Sequence, residues 1–207
     1  MTDLAEARPK RRREVTVELL LDAALETFAE QGFAAASVED ICSRGGFTRG
    51  AFYSSFSTKD ELFSALYARE AARDLARVEE LLAGLAGEPD PLAFVVDRCL
   101  GMFRHDRAWS LVAAEYALHA ARHPSAAELL HRHQEGFQTH LVTLIERGVA
   151  DTGLQLTVRA DQLARALCAQ HDGVTLRCLA DPEHAADLER SALLLLLNGA
   201  VTDRPAD

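Results

Sequence analysis

The sequence predicts an all-α fold of about nine helices in two parts, a small N-terminal three-helix domain and a larger C-terminal helical one. Three observations carry that prediction. Apolar and charged residues recur at helical spacing almost throughout. Only 6 prolines interrupt them. At 207 residues, with 48% hydrophobic and 26% charged content, the chain is an ordinary globular one, long enough to bury a full core.

The elements follow in order. Residues 1–14 are polar and then basic, an arm expected to be disordered in isolation. Helix one is expected from Val15 to Gln31, with Val17, Leu20, Leu21, Ala24, Leu25 and Phe28 as its apolar stripe and Gly32 as its cap. Ser37 is a good N-cap for a short helix over 37–44, where Val38, Ile41 and Cys42 sit at helical spacing. Gly45 and Gly46 supply a backbone able to take positive φ, as a tight turn between helices requires. Phe47 can plug the space between the helices, and Thr48 restarts the chain as the next N-cap, giving a third helix over 48–55. Thr58 and Glu61 stand in capping-box relation at the head of a long fourth helix reaching Leu85.

Gly84, Gly87, Pro89 and Pro91 break the chain there. Further helices are expected from Leu92 to Phe103, around Trp109 to Tyr116, from Ser125 to Gly148, from Arg159 to Leu179 and from Glu183 to Asn198. The domain reading is therefore an arm over 1–14, a helix-turn-helix domain over 15–60, a second helical domain over 61–200 and a polar tail over 201–207.

Charge is unevenly placed. The net charge is -10, which looks wrong for a nucleic-acid binder. Residues 1–60 carry 8 Lys and Arg against 10 Asp and Glu, whereas residues 61–207 carry 14 against 22. The run from Arg8 to Arg13 concentrates five positive charges in six residues. Salt screens charges more than about 8–10 Å apart, so a local basic arm on an acidic protein can still meet phosphates. Cys42, Cys99, Cys168 and Cys178 lie at no metal-ligand spacing, each in an apolar helical run, which reads as buried free thiols in a reducing cytosol. A redox pair is the sharper alternative, although Cys168 and Cys178 are too far apart to join within one helix. No signal peptide opens the chain, and Ala192 to Leu197, its longest apolar stretch, is too short to span a bilayer. A cytoplasmic location is expected, with no membrane partner.

Helix, glycine turn, helix is the arrangement whose second helix enters a DNA major groove. The segment SVEDICSRGGFTRGAFY, the long apolar helix before it and the FSTKDEL after it resemble the TetR/AcrR family of transcriptional regulators over roughly residues 15–66. The resemblance implies a cytoplasmic homodimer, in most members a repressor, whose second domain binds a small molecule that lowers DNA affinity. It implies roles for particular residues. Ser37 would meet a phosphate at a helix N-terminus. Thr48, Arg49 and Gly50 would open the recognition helix, with Arg49 on a guanine edge and Gly50 admitting the backbone close to DNA. Tyr53 would reach a phosphate or thymine methyl, Lys59 would hold the DNA backbone from the other side, and Arg11 to Arg13 would reach a minor groove or flanking phosphates. The chain departs from the family at Ser54 and Ser55, where a histidine or aromatic is common; Ser55 would still bond a phosphate, with shorter reach. Cys42 and Gly45 stand where alanine is usual.

In the second domain, Phe103, Trp109, Tyr116, Phe137, His140 and His171 are candidates to line a ligand pocket. The run Ser191 to Leu197 is apolar on every side, so a second subunit is expected to cover it. Leu163, Leu167, Val174, Leu193, Leu196 and Leu197 are the candidate dimer interface, a four-helix bundle across a two-fold axis. His119 and His123 have the i,i+4 spacing of a zinc pair without a third ligand, so no metal and no cofactor are expected. No GxSxG, HExxH or phosphate loop occurs, so the chain is not expected to be an enzyme. The expected partners are a near-palindromic double-stranded operator, a second copy of the chain and a small-molecule effector. The competing readings are a helical adaptor, or a small enzyme, whose helix-turn-helix does not bind DNA.

Overall fold

A computed structural model describes residues 3–102 and 106–203, with the backbone alone for 3–12, 101, 102, 185, 186 and 203. The all-α expectation holds. Nine α-helices occur among the described residues: α1 (Asp3–Gln31), α2 (Val38–Gly45), α3 (Arg49–Tyr53), α4 (Lys59–Leu82), α5 (Pro91–Met102), α6 (Arg107–Ala120), α7 (Pro124–Ala150), α8 (Ala160–Ala180) and α9 (Pro182–Ala200). Two short strands, β1 (Leu154–Leu156) and β2 (Val201–Asp203), complete them.

The chain forms two compact units. The first runs to Arg69 and includes Leu111–Leu130; the second comprises Glu70–Ser110 and His131–Asp207. The expected boundary lay at residue 60, and nothing local in the sequence marks 111–130 as part of the N-terminal unit.

In the first unit, α1 buries Leu20, Leu21, Ala24, Thr27 and Phe28. Thr27 is tolerated inside because its hydroxyl donates to the Ala23 carbonyl at 2.7 Å, which leaves no polar group unmet. The helix begins twelve residues before the expected Val15. Residues 3–14 are mostly good helix formers, and a run of charge hides that propensity from a reading based on apolar periodicity. Gly32, at φ 87°, ends α1 and turns the chain toward Phe33. Phe33 then sits in an aromatic core with Phe28, Phe63 and Tyr116, at centroid distances of 5.1, 5.7 and 4.9 Å. Tyr116 stacks flat on Phe63 at 3.5 Å.

In the second unit, α9 packs on α5 and α8. Val96, Leu193 and Leu197 form one buried cluster, with Leu92, Val95, Cys99, Leu100, Leu167 and Leu194 around it. Leu163, Ala200 and Val201 form another, joined by Ile145, Leu154 and Leu156. The strands pair antiparallel, Leu156 opposite Val201 and Leu154 opposite Asp203. Thr157 extends that pairing, its N–H donating to the Ala200 carbonyl at 2.8 Å and its hydroxyl to that of Gly199 at 2.9 Å, so the last carbonyls of α9 are satisfied. Three-residue strands are too short to show alternation, and the start of the tail expected over 201–207 forms β2.

The leucine run of α9 is not one surface. Leu193 and Leu197 are 5% and 8% exposed, and Leu163 and Val174 are 3% exposed, within the single chain. Leu167 packs against both clusters. These residues fill the protomer's own core, and Leu196 is half-buried. The dimer interface expected from Leu163, Leu167, Val174, Leu193 and Leu197 is corrected accordingly, whereas Leu196 lies in neither cluster. The exposed residues are others: Leu195 at 77%, Leu176 at 56% and Leu188 at 44%. Composition alone cannot divide a helix that is apolar all round; only the position of α5 does so.

Candidate nucleic-acid interface

The turn between α2 and α3 is fixed at both ends by its own residues. Ser37 caps α2: its Oγ accepts the Asp40 N–H at 3.1 Å, while the Asp40 carboxylate accepts the Ser37 N–H at 3.0 Å and the Ser37 hydroxyl at 2.5 Å. These bonds hold the Asp40 carboxyl below its ordinary range, the hydroxyl contributing most. At the other end Gly46, at φ 70° and ψ 27°, is the left-handed cap, and the Phe47 N–H donates to the Cys42 carbonyl at 2.8 Å. A Cβ on Gly45 would lie 2.8 Å from the Phe47 ring and 3.2 Å from Ala23 Cβ. Glycine at 45, where the resemblance leads one to expect alanine, therefore makes room for the Phe47 plug.

Thr48 caps α3 by accepting the Ala51 N–H on its Oγ1 at 3.2 Å. Phe52 faces inward, fully buried, 5.9 Å from Phe56. With Phe52 pinned, helical geometry turns Arg49, Gly50 and Tyr53 outward, and these three and the N-cap Thr48 are exposed. Arg49 is ion-paired to Glu39 of α2 at 2.7 Å, and its guanidinium carbon lies 5.8 Å from the Tyr53 ring centroid. Gly50 has open space outward: a Cβ there would meet only Thr48 Oγ1, at an ordinary 3.7 Å. The fold of the free protein thus gives no reason for glycine at this position.

The two serines after Tyr53 turn away from that face. Ser54 donates back to the Ala51 carbonyl at 2.7 Å, and the Ser55 hydroxyl is buried without a hydrogen-bond partner among the described residues. Ser55 therefore does not offer a phosphate its hydroxyl, contrary to expectation.

Lys59 also departs from expectation. Its Nζ donates to the carbonyls of Phe33 at 2.5 Å and Ala36 at 2.8 Å, with Ala34 at 3.4 Å, and lies 4.6 Å from the Phe33 ring centroid. Burial lowers its pKa from the ordinary lysine value. The ammonium ties the α1–α2 loop to the start of α4 instead of standing free for DNA. The sequence signal was present, since four loop carbonyls after Gly32 lack a helix to satisfy them, but it does not say which donor comes.

Two contacts that no sequence pattern indicates join α6 to the α1–α2 loop and to the start of α4. The Glu115 carboxylate accepts the Phe33 N–H at 2.7 Å, and the Tyr116 hydroxyl donates to Asp60 at 3.0 Å. Tyr116 is thus a core residue of the first unit, not a lining residue of a pocket in the second, and that expectation is corrected. His119 and His123 stack at 4.0 Å, and among the described residues no group of three or more metal-capable side chains gathers. Of the other expected pocket residues, Phe103 lies outside the described residues. Trp109, Phe137 and His171 are half-buried in the second unit, while His140 is exposed with its ring 2.8 Å from the Gly136 carbonyl of its own helix.

The head's described cations are largely committed. Arg44 pairs with Glu26 and Glu30, and Arg69 with Glu18 and Asp22. Arg13 is exposed at the end of the basic run, whose remaining side chains lie outside the described residues. All four cysteines are free thiols, and burial raises each one's pKa, Cys99 to about 12 and Cys168 to about 11. A thiol so raised stays protonated and is a poor redox nucleophile.

Comparison with known proteins places this geometry. Residues 20–66 match the family model described as bacterial regulatory proteins, tetR family, and residues 90–197 match that of the BetI-type transcriptional repressor, C-terminal. The HTH-type transcriptional regulator UidR of Escherichia coli (strain K12) is 28% identical over 125 residues, 60% of this chain and 59% of UidR. The chain thus matches about three-fifths of that relative's length. The HTH-type transcriptional regulator YfiR of Bacillus subtilis (strain 168) is 23% identical over 194 residues, 92% of each chain. Among solved structures, Salmonella enterica GusR superposes with a TM-score of 0.71 at 26% identity, covering 88% of this chain and 95% of that one. FadR from Bacillus subtilis, solved in complex with stearoyl-CoA, superposes with a TM-score of 0.69 at 19% identity, over 88% and 98% of the two chains, a likeness of fold alone.

Proposed function

The chain belongs to the TetR family of bacterial regulatory proteins, and from that premise we propose that it is a DNA-binding transcriptional regulator, a dimeric repressor released from its operator by a small molecule. The observation that carries the reading is the outward face of α3. Thr48, Arg49, Gly50 and Tyr53 lie exposed together on a helix whose turn is capped at both ends. Arg49 supplies the fork that reads a guanine edge, Tyr53 the ring for a phosphate or thymine methyl, and Gly50 the missing Cβ that admits the DNA backbone. Ser37 contributes its helix N-terminus, although Asp40 already occupies its hydroxyl. The basic run Arg8–Arg13 supplies the phosphate attraction that the paired arginines of the head do not.

Dimerisation supports two-fold operator reading, with recognition helices about one DNA turn, 34–36 Å, apart. The surface we assign to it is the exposed face of α8 and α9, where Leu176, Leu188 and Leu195 stand out of the protomer core. Gly173 and Gly199 meet nothing within 4 Å where a Cβ would stand, which lets a partner helix approach closely. An effector held in the second unit lowers DNA affinity by favouring a spacing of the two recognition helices that no longer matches successive grooves. Among the described residues no helix is long and apolar enough to cross a membrane. A DNA partner supports a cytoplasmic site of action.

The test is an operator-shift assay on the promoter region of the protein's own gene, comparing wild type with Arg49→Ala and Tyr53→Ala. Each substitution is expected to weaken binding at least tenfold. Undiminished binding by both would remove α3 as the reading element.

A further inference from the structure

Glu39 of α2 stands beside the reading face without being part of it. It is the second residue of its helix and lies three positions before Cys42, which makes the two neighbours on the helix surface. The Cys42 thiol donates to the Thr48 carbonyl at 3.7 Å, so this side of α2 is the side that meets the start of α3. Arg49 follows Thr48 directly, and its Nη1 donates to Glu39 Oε1 at 2.7 Å. The other acidic residue of that first turn, Asp40, is bent back onto Ser37. Glu39 is therefore the carboxylate that this turn presents to the reading helix. The pair lies open to solvent, with the Arg49 side chain 62% exposed, whereas Arg69, paired to Glu18 and Asp22, is 9% exposed. Tyr53 flanks the same guanidinium, its ring centroid 5.8 Å from Cζ.

An ion pair so exposed contributes little to folding, but it sets what Arg49 can do at DNA. Two kinds of acceptor meet an arginine there. A backbone phosphate is an anion and is present at every sequence. A guanine edge is neutral and offers two aligned acceptors, O6 and N7. Taking a phosphate exchanges one anion for another and brings the Glu39 carboxylate up against it, like charge against like charge. Guanine demands no such exchange. A guanidinium carries five donors, so one spent on Glu39 leaves a parallel pair for O6 and N7.

We propose that Glu39 is a specificity-determining residue, which holds Arg49 for a guanine edge and keeps it off phosphates. The proposal rests on α3 being the DNA-reading helix and names the residue that makes its arginine selective. The basic run Arg8–Arg13 attracts any duplex alike, and Glu39 opposes that attraction at the one place where sequence is read.

The experiment titrates wild type, Glu39→Gln, Arg49→Gln and the double variant, as full-length proteins, against two duplexes over a range of salt. One duplex is the promoter region of the protein's own gene, and the other is a scrambled sequence of the same length and composition. Wild type should prefer the promoter. Glu39→Gln should bind the scrambled duplex about tenfold or more tighter, with a slope of log K against log salt steeper by about 0.9 per protomer, as a new phosphate contact implies. Its promoter affinity should rise no more than about fivefold, so the preference falls. In the Arg49→Gln background the same substitution should change both duplexes by one factor, because its selective effect runs through Arg49. An equal gain on both duplexes in Glu39→Gln, or the same loss of preference without Arg49, overturns the proposal. The ratio between duplexes within one preparation does not depend on the folded fraction, so it decides the matter even if a variant folds poorly. A wild type without promoter preference defeats the regulator reading, whereas a preference that Glu39→Gln keeps in full defeats this inference alone.

Discussion

Replacing Lys59 by methionine separates two roles that the same residue could play at the same place. Methionine keeps the length of the aliphatic stem and its contact with Phe33, and removes the ammonium. Two short bonds disappear, to the Phe33 and Ala36 carbonyls at 2.5 and 2.8 Å, and the third, at 3.4 Å, contributes little. A hydrogen bond from a charged donor is worth about 1.5–3 kcal/mol net, and the half-buried position lets water recover part of it. The expected loss is about 2–3 kcal/mol, which for a chain of this size is roughly 5–10 °C in Tm. Circular-dichroism melting checks it. The salt dependence of operator binding, measured well below the melting transition, should keep its slope, because the ammonium is turned toward the loop carbonyls. A phosphate contact predicts the reverse: an unchanged Tm and a slope of log K against log salt smaller by about 0.9. That second outcome would refute the structural role argued for Lys59.

Three further perturbations address other parts of the molecule. Gly50→Ala should leave stability unchanged or raise it by up to about 1 kcal/mol, since the position has room and alanine favours a helix, while weakening operator binding; loss of stability in a denaturant titration would show that the fold itself needs the glycine. Glu39→Gln frees Arg49 from an exposed ion pair and should tighten operator binding up to about fivefold, read in a mobility-shift titration at fixed salt. Glu189 has a folded pKa of about 7, raised from 4.5, so the folded state holds the extra proton between those values and stability falls as pH rises through that window. Glu189→Gln should remove this fall, matching wild type near pH 4.5 and exceeding it above pH 7 in urea titrations; an unchanged pH profile would show that burial does not perturb the carboxyl.

What the sequence made legible follows the range of the interactions concerned. The Ser37 cap, the Gly46 turn and the Thr48 cap are contacts within a few residues, and the local pattern that forms them is also the pattern that displays them. Their positions could therefore be read to within a residue. Lys59, Glu115 and Tyr116 act across 23 to 82 positions, and nothing near any of them states its partner. The family resemblance gives Lys59 to the DNA backbone, residue type gives Tyr116 to a pocket, and nothing singles out Glu115. The same limit governs the leucines of α9, whose periodicity says that all faces are apolar but not which face the chain itself will cover. Local chemistry thus specified the reading element, while the loops and helices that brace it were specified by partners distant in sequence. This division has a mechanical consequence within the first unit. The α1–α2 loop that ends at Ser37 is tied by Lys59 at one carbonyl after another and by Glu115 through the Phe33 N–H, so displacement of residues 111–120 draws directly on the segment that enters α2. Glu115→Gln, which weakens that tie while preserving its shape, is therefore expected to alter operator affinity through the setting of α2 and α3 even though it lies outside the reading face.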